Sequence, residues 1–96
     1  MTKIEYTPES VKELSKLDKH AAKRIREYMG EVGKLDNPRS RGKGLTSNLN
    51  VLWRYRVGDY RIITVISDKE TTEELKQIII TVLVVRIGHR KEVYKQ

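Results

Sequence analysis

One stretch decides the fold of this 96-residue chain, namely residues 77–87, which read QIIITVLVVRI. Almost every side chain in it is apolar, and most are β-branched. β-Branched residues favour strands, and an unbroken apolar run is typical of a strand covered on both faces for much of its length. The run is too short to span a bilayer. We therefore predict that it forms a central strand of a sheet.

Upstream of this strand, the sequence LWRYRVGDYRIITVI predicts a β-hairpin. Gly58-Asp59 is a dipeptide typical of tight turns between strands. It separates a strand at residues 52–57 from a returning strand at 60–66. The acidic, polar segment at residues 67–76 is expected to form the turn that leads into the central strand.

The first strand of the hairpin has two chemically different faces, because successive side chains of a strand alternate. Trp53, Tyr55 and Val57 share one face, which fits a core. Arg54 and Arg56 share the other, where two guanidinium groups repel each other unless an anion lies between them. Arginine matches phosphate oxygens in a planar, bidentate manner. The alternative is that the two arginines only form a solvated face.

The first third of the chain predicts a short strand at residues 3–7 followed by two helices. Thr7 is a suitable N-cap with Pro8 in the first turn, and Asp18 can cap the second helix. Asn37-Pro38 ends the helical region. Apolar residues recur at helical spacing. They are Val11, Leu14 and Leu17 in the first helix, and Ala22, Ile25, Met29 and Val32 in the second.

These elements follow one another in the order βααβββ, which is typical of the α+β class. A chain of 96 residues is long enough for one small core. We therefore predict a single domain, residues 1–96, in which a helical hairpin packs on one face of a four-stranded, mainly antiparallel sheet.

The composition indicates a polyanionic partner. The net charge is +7 and the pI is about 9.8, which makes nucleic acid the first candidate. Without cysteine the chain can form neither disulfides nor a thiolate metal site, which fits a reducing cytoplasm. The N-terminus has no apolar segment of signal-peptide length. We expect a soluble, cytoplasmic protein without a membrane partner.

Basic residues concentrate between residues 37 and 61, where Asp59 is the only acid. A basic zone that covers a loop and two strands is typical of a phosphate-binding surface. A second motif, GHRKEVY at residues 88–94, adds a titratable ring, another guanidinium group and an aromatic plane. Alone, His89 fits a surface histidine and Tyr94 a hydrophobic anchor of the tail. The cations of the basic zone are Arg39, Arg41, Lys43, Arg54, Arg56 and Arg61.

Two motifs together resemble the RelE branch of the RelE/ParE toxin superfamily: LWRYRVGDYR at residues 52–61 and GHRKEVY at residues 88–94. The similarity covers nearly the whole chain and includes Asn37-Pro38-Arg39, Gly44-Leu45 and the helix junction Leu14-Lys16-Leu17-Asp18. It implies a microbial RNase-type fold and the toxin of a type II toxin–antitoxin pair. It also implies an mRNA interferase, which cuts messenger RNA in the ribosomal A site and is neutralised by a cognate antitoxin.

The resemblance implies roles for single residues. Arg61 matches the strand arginine that stabilises the scissile phosphate. Arg90 matches the C-terminal catalytic arginine, and Tyr94 matches the aromatic residue that stacks on a base. Arg54 and Arg56 occupy positions where relatives often have lysines.

This last difference affects proton transfer, because arginine does not readily lose a proton. A mechanism with lysine as the base therefore does not carry over to this chain. His89 becomes the candidate for proton transfer, since histidine titrates near neutral pH. The remaining cations are expected to bind RNA phosphates: Arg39, Arg41, Lys43, Arg54, Arg56 and Lys91.

The residues favour cleavage without a metal or another cofactor. His20 and His89 are far apart, and no carboxylates cluster near the basic motifs. Attack by the RNA 2′-hydroxyl on the adjacent phosphate needs in-line geometry, charge stabilisation and proton transfer, but no metal. The expected partners are mRNA, the ribosome and an antitoxin. The alternatives are a ParE-like toxin that binds DNA gyrase without nuclease activity, and an RNA-binding module without chemistry.

Overall fold

The computed structural model describes residues 1–45, 52–70 and 78–92. Two helices pack on a mixed sheet, which confirms the predicted α+β class. In chain order the elements are β1 (Thr2–Tyr6), α1 (Pro8–Ser15), α2 (Lys19–Val32), a 3-10 turn (Pro38–Ser40), β2 (Lys43–Gly44), β3 (Leu52–Val57), β4 (Tyr60–Glu70) and β5 (Ile78–His89).

The apolar strand predicted to be central lies in the interior of the sheet, whose strand order is β1-β5-β4-β3-β2. β5 pairs in parallel with β1 and antiparallel with β4. Val82 and Val84 have no exposed surface, whereas residues on the other face of β5 remain half-buried. The central position is therefore confirmed for the described part of the run, whereas cover on both faces is not, because neither α1 nor α2 packs on the second face. Gln77 lies outside the described residues.

Two features of the sheet differ from the prediction. The sheet has five strands rather than four, because a two-residue strand, β2, pairs with the first half of β3. β4 continues beyond Ile66 to Glu70, where a turn was predicted. The hydrogen bonds between strands join backbone groups, so polar side chains do not end a strand while its partner strand continues beside it. The rest of the predicted turn, residues 71–76, lies outside the described residues.

Both helices begin at the predicted caps. Thr7 Oγ1 accepts the N–H of Ser10 at 3.1 Å, and Asp18 Oδ1 accepts the N–H of Ala21 at 2.9 Å. Such a cap stabilises a helix by about 1 kcal/mol. No helix in the described part of the chain combines the length and the apolar composition needed to cross a membrane.

The helices and one face of the sheet share a hydrophobic core. Ile25, Met29 and Val32 of α2 have no exposed surface, and the same is true of Tyr55 in β3 and Ile62 in β4. Burial of one such side chain contributes about 1.5–3 kcal/mol to folding. This core lies under β3, β4 and β5 together, and these strands carry the first basic motif and the start of the second.

Candidate nucleic-acid interface

The sheet brings the two basic motifs together, although they are far apart in the sequence. Arg56 of β3 lies opposite Arg61 of β4, and Arg61 lies opposite Gly88 of β5. The turn after β5 is attached to the hairpin turn, because the Arg90 N–H donates to the Asp59 carbonyl at 2.8 Å. Both motifs therefore meet at the same end of the sheet.

Two aromatic side chains of β3 fasten the basic loop, defined as residues 38–44, beside the strand. The Tyr55 hydroxyl donates to the Pro38 carbonyl at 2.7 Å, and Trp53 Nε1–H donates to the Arg41 carbonyl at 2.6 Å. Tyr55 is fully buried, and burial raises the pKa of its hydroxyl to about 12. The hydroxyl thus stays protonated, as a donor must, and the position of the loop relative to β3 is set by the core.

The basic loop approaches β3 most closely at Gly42. The backbone there has φ of +80°, a region that glycine enters without strain. A Cβ at this position would lie 2.3 Å from the Arg54 carbonyl oxygen and 2.7 Å from Trp53 Nε1. Only glycine therefore allows the loop to lie against the strand in this way.

Two cations of the basic loop have acidic partners. Arg39 Nη1 lies 3.2 Å from Asp68 Oδ1, and Arg41 Nη1 lies 3.6 Å from Glu31 Oε2. The Arg41 guanidinium also lies over the Tyr28 ring, 5.7 Å from its centroid. Ion pairs at a protein surface are weak. An incoming phosphate can therefore take the place of either carboxylate.

The other predicted phosphate ligands differ in exposure. Lys43, Arg56 and Lys91 are exposed, and Arg54 is half-buried. Arg90, which was predicted to be catalytic, is exposed in the turn after β5. This side of the molecule therefore offers several cations to solvent at one end of the sheet. Tyr94 lies outside the described residues, so its stacking role stays a prediction.

Arg61 is not a solvent-facing cation, since it is only 7% exposed. Its Nη1 donates to the carbonyls of Gly58 and Tyr60, both at 3.1 Å. These bonds use two of the five N–H groups of the guanidinium. Arg61 therefore stabilises the hairpin turn as well as bringing a positive charge to the site.

His89 lies on the other side of the sheet from Arg54 and Arg56. It is paired with Tyr60, and the two rings meet edge to face with centroids 6.0 Å apart. Its ring borders a groove formed with the end of α1. Nδ1 accepts the Lys91 N–H at 3.2 Å, which leaves the ring proton on Nε2. The predicted meeting of this ring with the basic strand residues is therefore not observed.

Tyr28 is a candidate site residue that the sequence did not indicate. It lines a groove of about 230 Å³ at the outer edge of β3, together with Gly42, Lys43, Arg54 and Arg56. The only signal in the sequence is its position three residues after Ile25, at the margin of the apolar stripe of α2. Nothing in that spacing indicates that α2 reaches the basic loop, because this contact is tertiary.

Metal binding has no obvious location in the described ranges. Among residues 1–45, 52–70 and 78–92, no three histidine, aspartate or glutamate side chains form a group that could hold a metal ion.

Comparison with known proteins identifies relatives over nearly the full length. The family model described as the ParE toxin of the type II toxin–antitoxin system parDE matches residues 4–94. The toxin–antitoxin complex RelBE2 from Mycobacterium tuberculosis contains a chain with 25% identity and a TM-score of 0.68, covering 92% of this chain and 96% of that one. No curated protein sequence matches the chain.

Two archaeal structures share the fold at lower identity. The RelB–RelE complex from Methanococcus jannaschii has a chain with 23% identity and a TM-score of 0.61, covering 94% of both chains. The RelE–RelB complex from Pyrococcus horikoshii OT3 has one with 22% identity and a TM-score of 0.60, covering 95% of this chain and 97% of that one.

The fold, the basic motifs and these relatives define a class, the toxins of type II toxin–antitoxin systems. Within it, the chain belongs to the ParE toxin family of the RelE/ParE superfamily, because the family model covers residues 4–94.

Proposed function

We propose that this toxin is a metal-independent endoribonuclease that cuts messenger RNA in the ribosomal A site and thereby inhibits translation. The observation that carries the proposal is the adjacency of the two basic motifs. Arg56, Arg61 and Gly88 lie side by side on three strands, and Arg90 follows at the same end of the sheet. The exposed Arg56 and Arg90 are open to an RNA backbone, and the buried Arg61 adds its positive charge at the same end of the sheet.

In the proposed reaction the RNA supplies its own nucleophile. The 2′-oxygen forms a bond to the adjacent phosphorus and gives up its proton, while the bond to the 5′-oxygen breaks and that oxygen gains a proton. The products are a 2′,3′-cyclic phosphate and a 5′-hydroxyl. Arg61 and Arg90 offset the charge that grows on the phosphate. Arg54 and Arg56 hold the backbone, and Tyr94 orients a base.

The proposal assigns His89 a positioning role. The Nδ1 lone pair accepts the Lys91 N–H and is therefore directed into the turn rather than toward the basic strand residues. The bond instead stabilises the turn that presents Arg90. The arginines of the basic face do not accept protons at neutral pH. We therefore assign the proton acceptor to the ribosome–mRNA complex, which gives a chemical reason for ribosome dependence.

Four further cations complete the proposed interface by binding phosphates away from the scissile bond. Contacts of this kind fix the register of a nucleic acid without reading its sequence. They are Arg39, Arg41, Lys43 and Lys91.

We also propose a cognate antitoxin as partner. The similar chains from Mycobacterium tuberculosis, Methanococcus jannaschii and Pyrococcus horikoshii occur in toxin–antitoxin complexes. A net charge of +7 suits an acidic or amphipathic antitoxin segment laid over part of the basic surface.

The family model supports a second candidate function, since it describes ParE toxins. In this alternative the chain binds DNA gyrase and has no nuclease activity. The fold does not distinguish the two, because one fold supports several functions. The cluster of Arg54, Arg56, Arg61 and Arg90 favours the nuclease, since its chemistry suits a phosphodiester.

One experiment separates these functions. Purified toxin is added to a translation complex with an empty A site, and the mRNA ends are mapped by primer extension. We expect a new 5′ end within the A-site codon with the parental protein and none with Arg90→Ala. A gyrase supercoiling assay runs in parallel. Intact mRNA together with inhibited supercoiling would establish the ParE-like function instead.

A further inference from the structure

The groove at the outer edge of β3 has the chemistry of a nucleotide-binding site. It encloses about 230 Å³ and is lined by Tyr28, Gly42, Lys43, Arg54 and Arg56. β2 pairs with β3 only at Trp53 and Arg54, so the groove lies where the edge of the sheet becomes open. One of its lining residues, Arg56, lies opposite Arg61 in the sheet.

The cationic side of the groove is available to an anion. Lys43 and Arg56 are both exposed, and neither forms an ion pair with a carboxylate in the described part of the chain. No acidic residue is among those that line the groove. Two cations that share an anion bind it more strongly than either alone, because their mutual repulsion is relieved at the same time.

The aromatic side of the groove is fixed before any ligand arrives. The Tyr28 ring packs edge to face on the buried Tyr55 ring, with centroids 6.0 Å apart and an interplanar angle of 61°. The Arg41 guanidinium lies over the Tyr28 ring, 5.7 Å from its centroid. A ring held in this way loses little conformational entropy when a second planar group stacks on it. Gly42 adds only backbone to the wall, so that this side of the groove stays open.

We propose that this groove binds one nucleotide of single-stranded RNA, with the base against Tyr28 and its phosphate between Lys43 and Arg56. A base that binds there is next to the strand whose arginines hold the backbone. Tyr28 is therefore a base-stacking residue, which adds affinity for any base and only a modest preference for bases with a larger stacking surface. The inference rests on the proposed function for the choice of RNA as the ligand.

The test measures binding of a mononucleotide without the ribosome. Trp53 is the only tryptophan of the chain and contacts Gly42, so its fluorescence reports on the groove. Adenosine 5′-monophosphate and inorganic phosphate are titrated separately. We expect the mononucleotide to bind about tenfold more tightly than phosphate, in the range that stacking of one base supplies.

Substitutions in the groove show which residue binds the base and which binds the phosphate. Tyr28→Leu should remove the advantage of the mononucleotide over phosphate, whereas Tyr28→Phe should keep it, since the ring remains. Lys43→Ala should weaken both ligands, and the loss should shrink at high salt. Lys12→Ala is the control, because Lys12 is an exposed lysine on α1, which packs against β5. Thermal melts confirm that each variant is folded.

The inference is overturned if the parental protein binds both ligands equally well, or if Tyr28→Leu keeps the preference for the mononucleotide. Failure of the proposed function has a different outcome. In that case mRNA on the ribosome stays intact, while the mononucleotide titration and its dependence on Tyr28 are unchanged.

Discussion

The Glu13 carboxylate of α1 accepts the backbone N–H of Ile87 at 2.8 Å. This bond takes the place of a neighbouring strand, because β1 has already ended at this level of the sheet. The other carboxylate oxygen accepts Arg86 Nε–H at 3.3 Å. The charge of Arg86, which stands within an apolar strand, is thereby paired. A helix thus holds the end of β5, from which Arg90 follows.

Removal of this carboxylate should loosen the end of β5. We expect Glu13→Ala to lower the free energy of unfolding by about 1–3 kcal/mol, mainly because the Ile87 N–H loses its acceptor. Glu13→Gln should cost less, since an amide oxygen still accepts and the partly exposed ion pair with Arg86 is weak. Urea denaturation measures both. Glu27→Ala, the same change at an exposed position of α2, is the control and should be nearly neutral.

The Tyr55 hydroxyl should make stability fall at alkaline pH. Burial raises its pKa from an ordinary 10.0 to about 12. Between these values the unfolded chain loses the phenolic proton and the folded chain keeps it, so stability decreases as pH rises. The effect is at most roughly 3 kcal/mol. Tyr55→Phe should be about 1 kcal/mol less stable at pH 8, because the Pro38 carbonyl loses its donor. That difference should shrink at pH 11. A constant difference across this range would contradict the assignment.

Two glycines should respond in opposite ways to the same substitution. Gly42→Ala places a Cβ 2.3 Å from a carbonyl oxygen at a positive φ, so we expect a loss of about 1–3 kcal/mol and a displaced basic loop. Gly30→Ala meets nothing within 4 Å and lies inside α2, so it should stabilise by about 0.5–1 kcal/mol. Denaturation midpoints of the two variants give the comparison, and Trp53 fluorescence should change only for Gly42→Ala.

Much of the fold could be predicted from the sequence because local chemistry and tertiary structure agree. Thr7 and Asp18 are helix caps in the prediction and in the structure, and the apolar stripe of α2 is buried as its spacing indicates. β3 has the predicted limits, since Gly58-Asp59 makes a turn there. The fifth strand could not be predicted, because β2 has two residues and exists only through its pairing with β3.

The site was predictable only in part. Alternation indicated that Arg54 and Arg56 share a face, and the register adds that Arg56 lies opposite another arginine, Arg61. The position of His89 could not be read in this way. Its face depends on a register shift between β4 and β5, where Ile63 pairs with Arg86 but the next residue, Thr64, pairs with Val84. Its tautomer depends on a hydrogen bond from the turn that follows. Tyr28 was not predicted as a site residue, because the residues that surround it in the groove belong to the basic loop and not to its own helix.

Two substitutions of His89 distinguish positioning from proton transfer. Asparagine places its oxygen near the site of Nδ1 and can still accept the Lys91 N–H, whereas the oxygen of glutamine lies farther out. We expect His89→Asn to keep most of the ribosome-dependent cleavage rate and His89→Gln to lose more. Neither should change the pH dependence of the rate. If both variants are slow and the pH–rate curve becomes flat near neutrality, His89 transfers the proton after all. Single-turnover cleavage between pH 6 and 8 is the measurement.

Substitution of three arginines by alanine should have three different effects, because the surroundings of these arginines differ. Arg61 is 7% exposed and bonds two turn carbonyls, so Arg61→Ala should lower both the cleavage rate and the free energy of unfolding, the latter by about 1–3 kcal/mol. Arg90 is exposed, so Arg90→Ala should leave stability unchanged and reduce the rate at saturating toxin by about a hundredfold or more, because it addresses charge that grows in the transition state. Arg56→Ala should mainly weaken binding to the ribosome, and this loss of affinity should shrink as salt rises.

Three measurements on the same three variants provide the comparison: single-turnover rates, salt titrations of ribosome binding and urea denaturation. If Arg61→Ala is as stable as the parent, the bonds from Arg61 to Gly58 and Tyr60 do not stabilise the turn. If Arg56→Ala and the parent show equal salt dependence of binding, Arg56 does not contact phosphate.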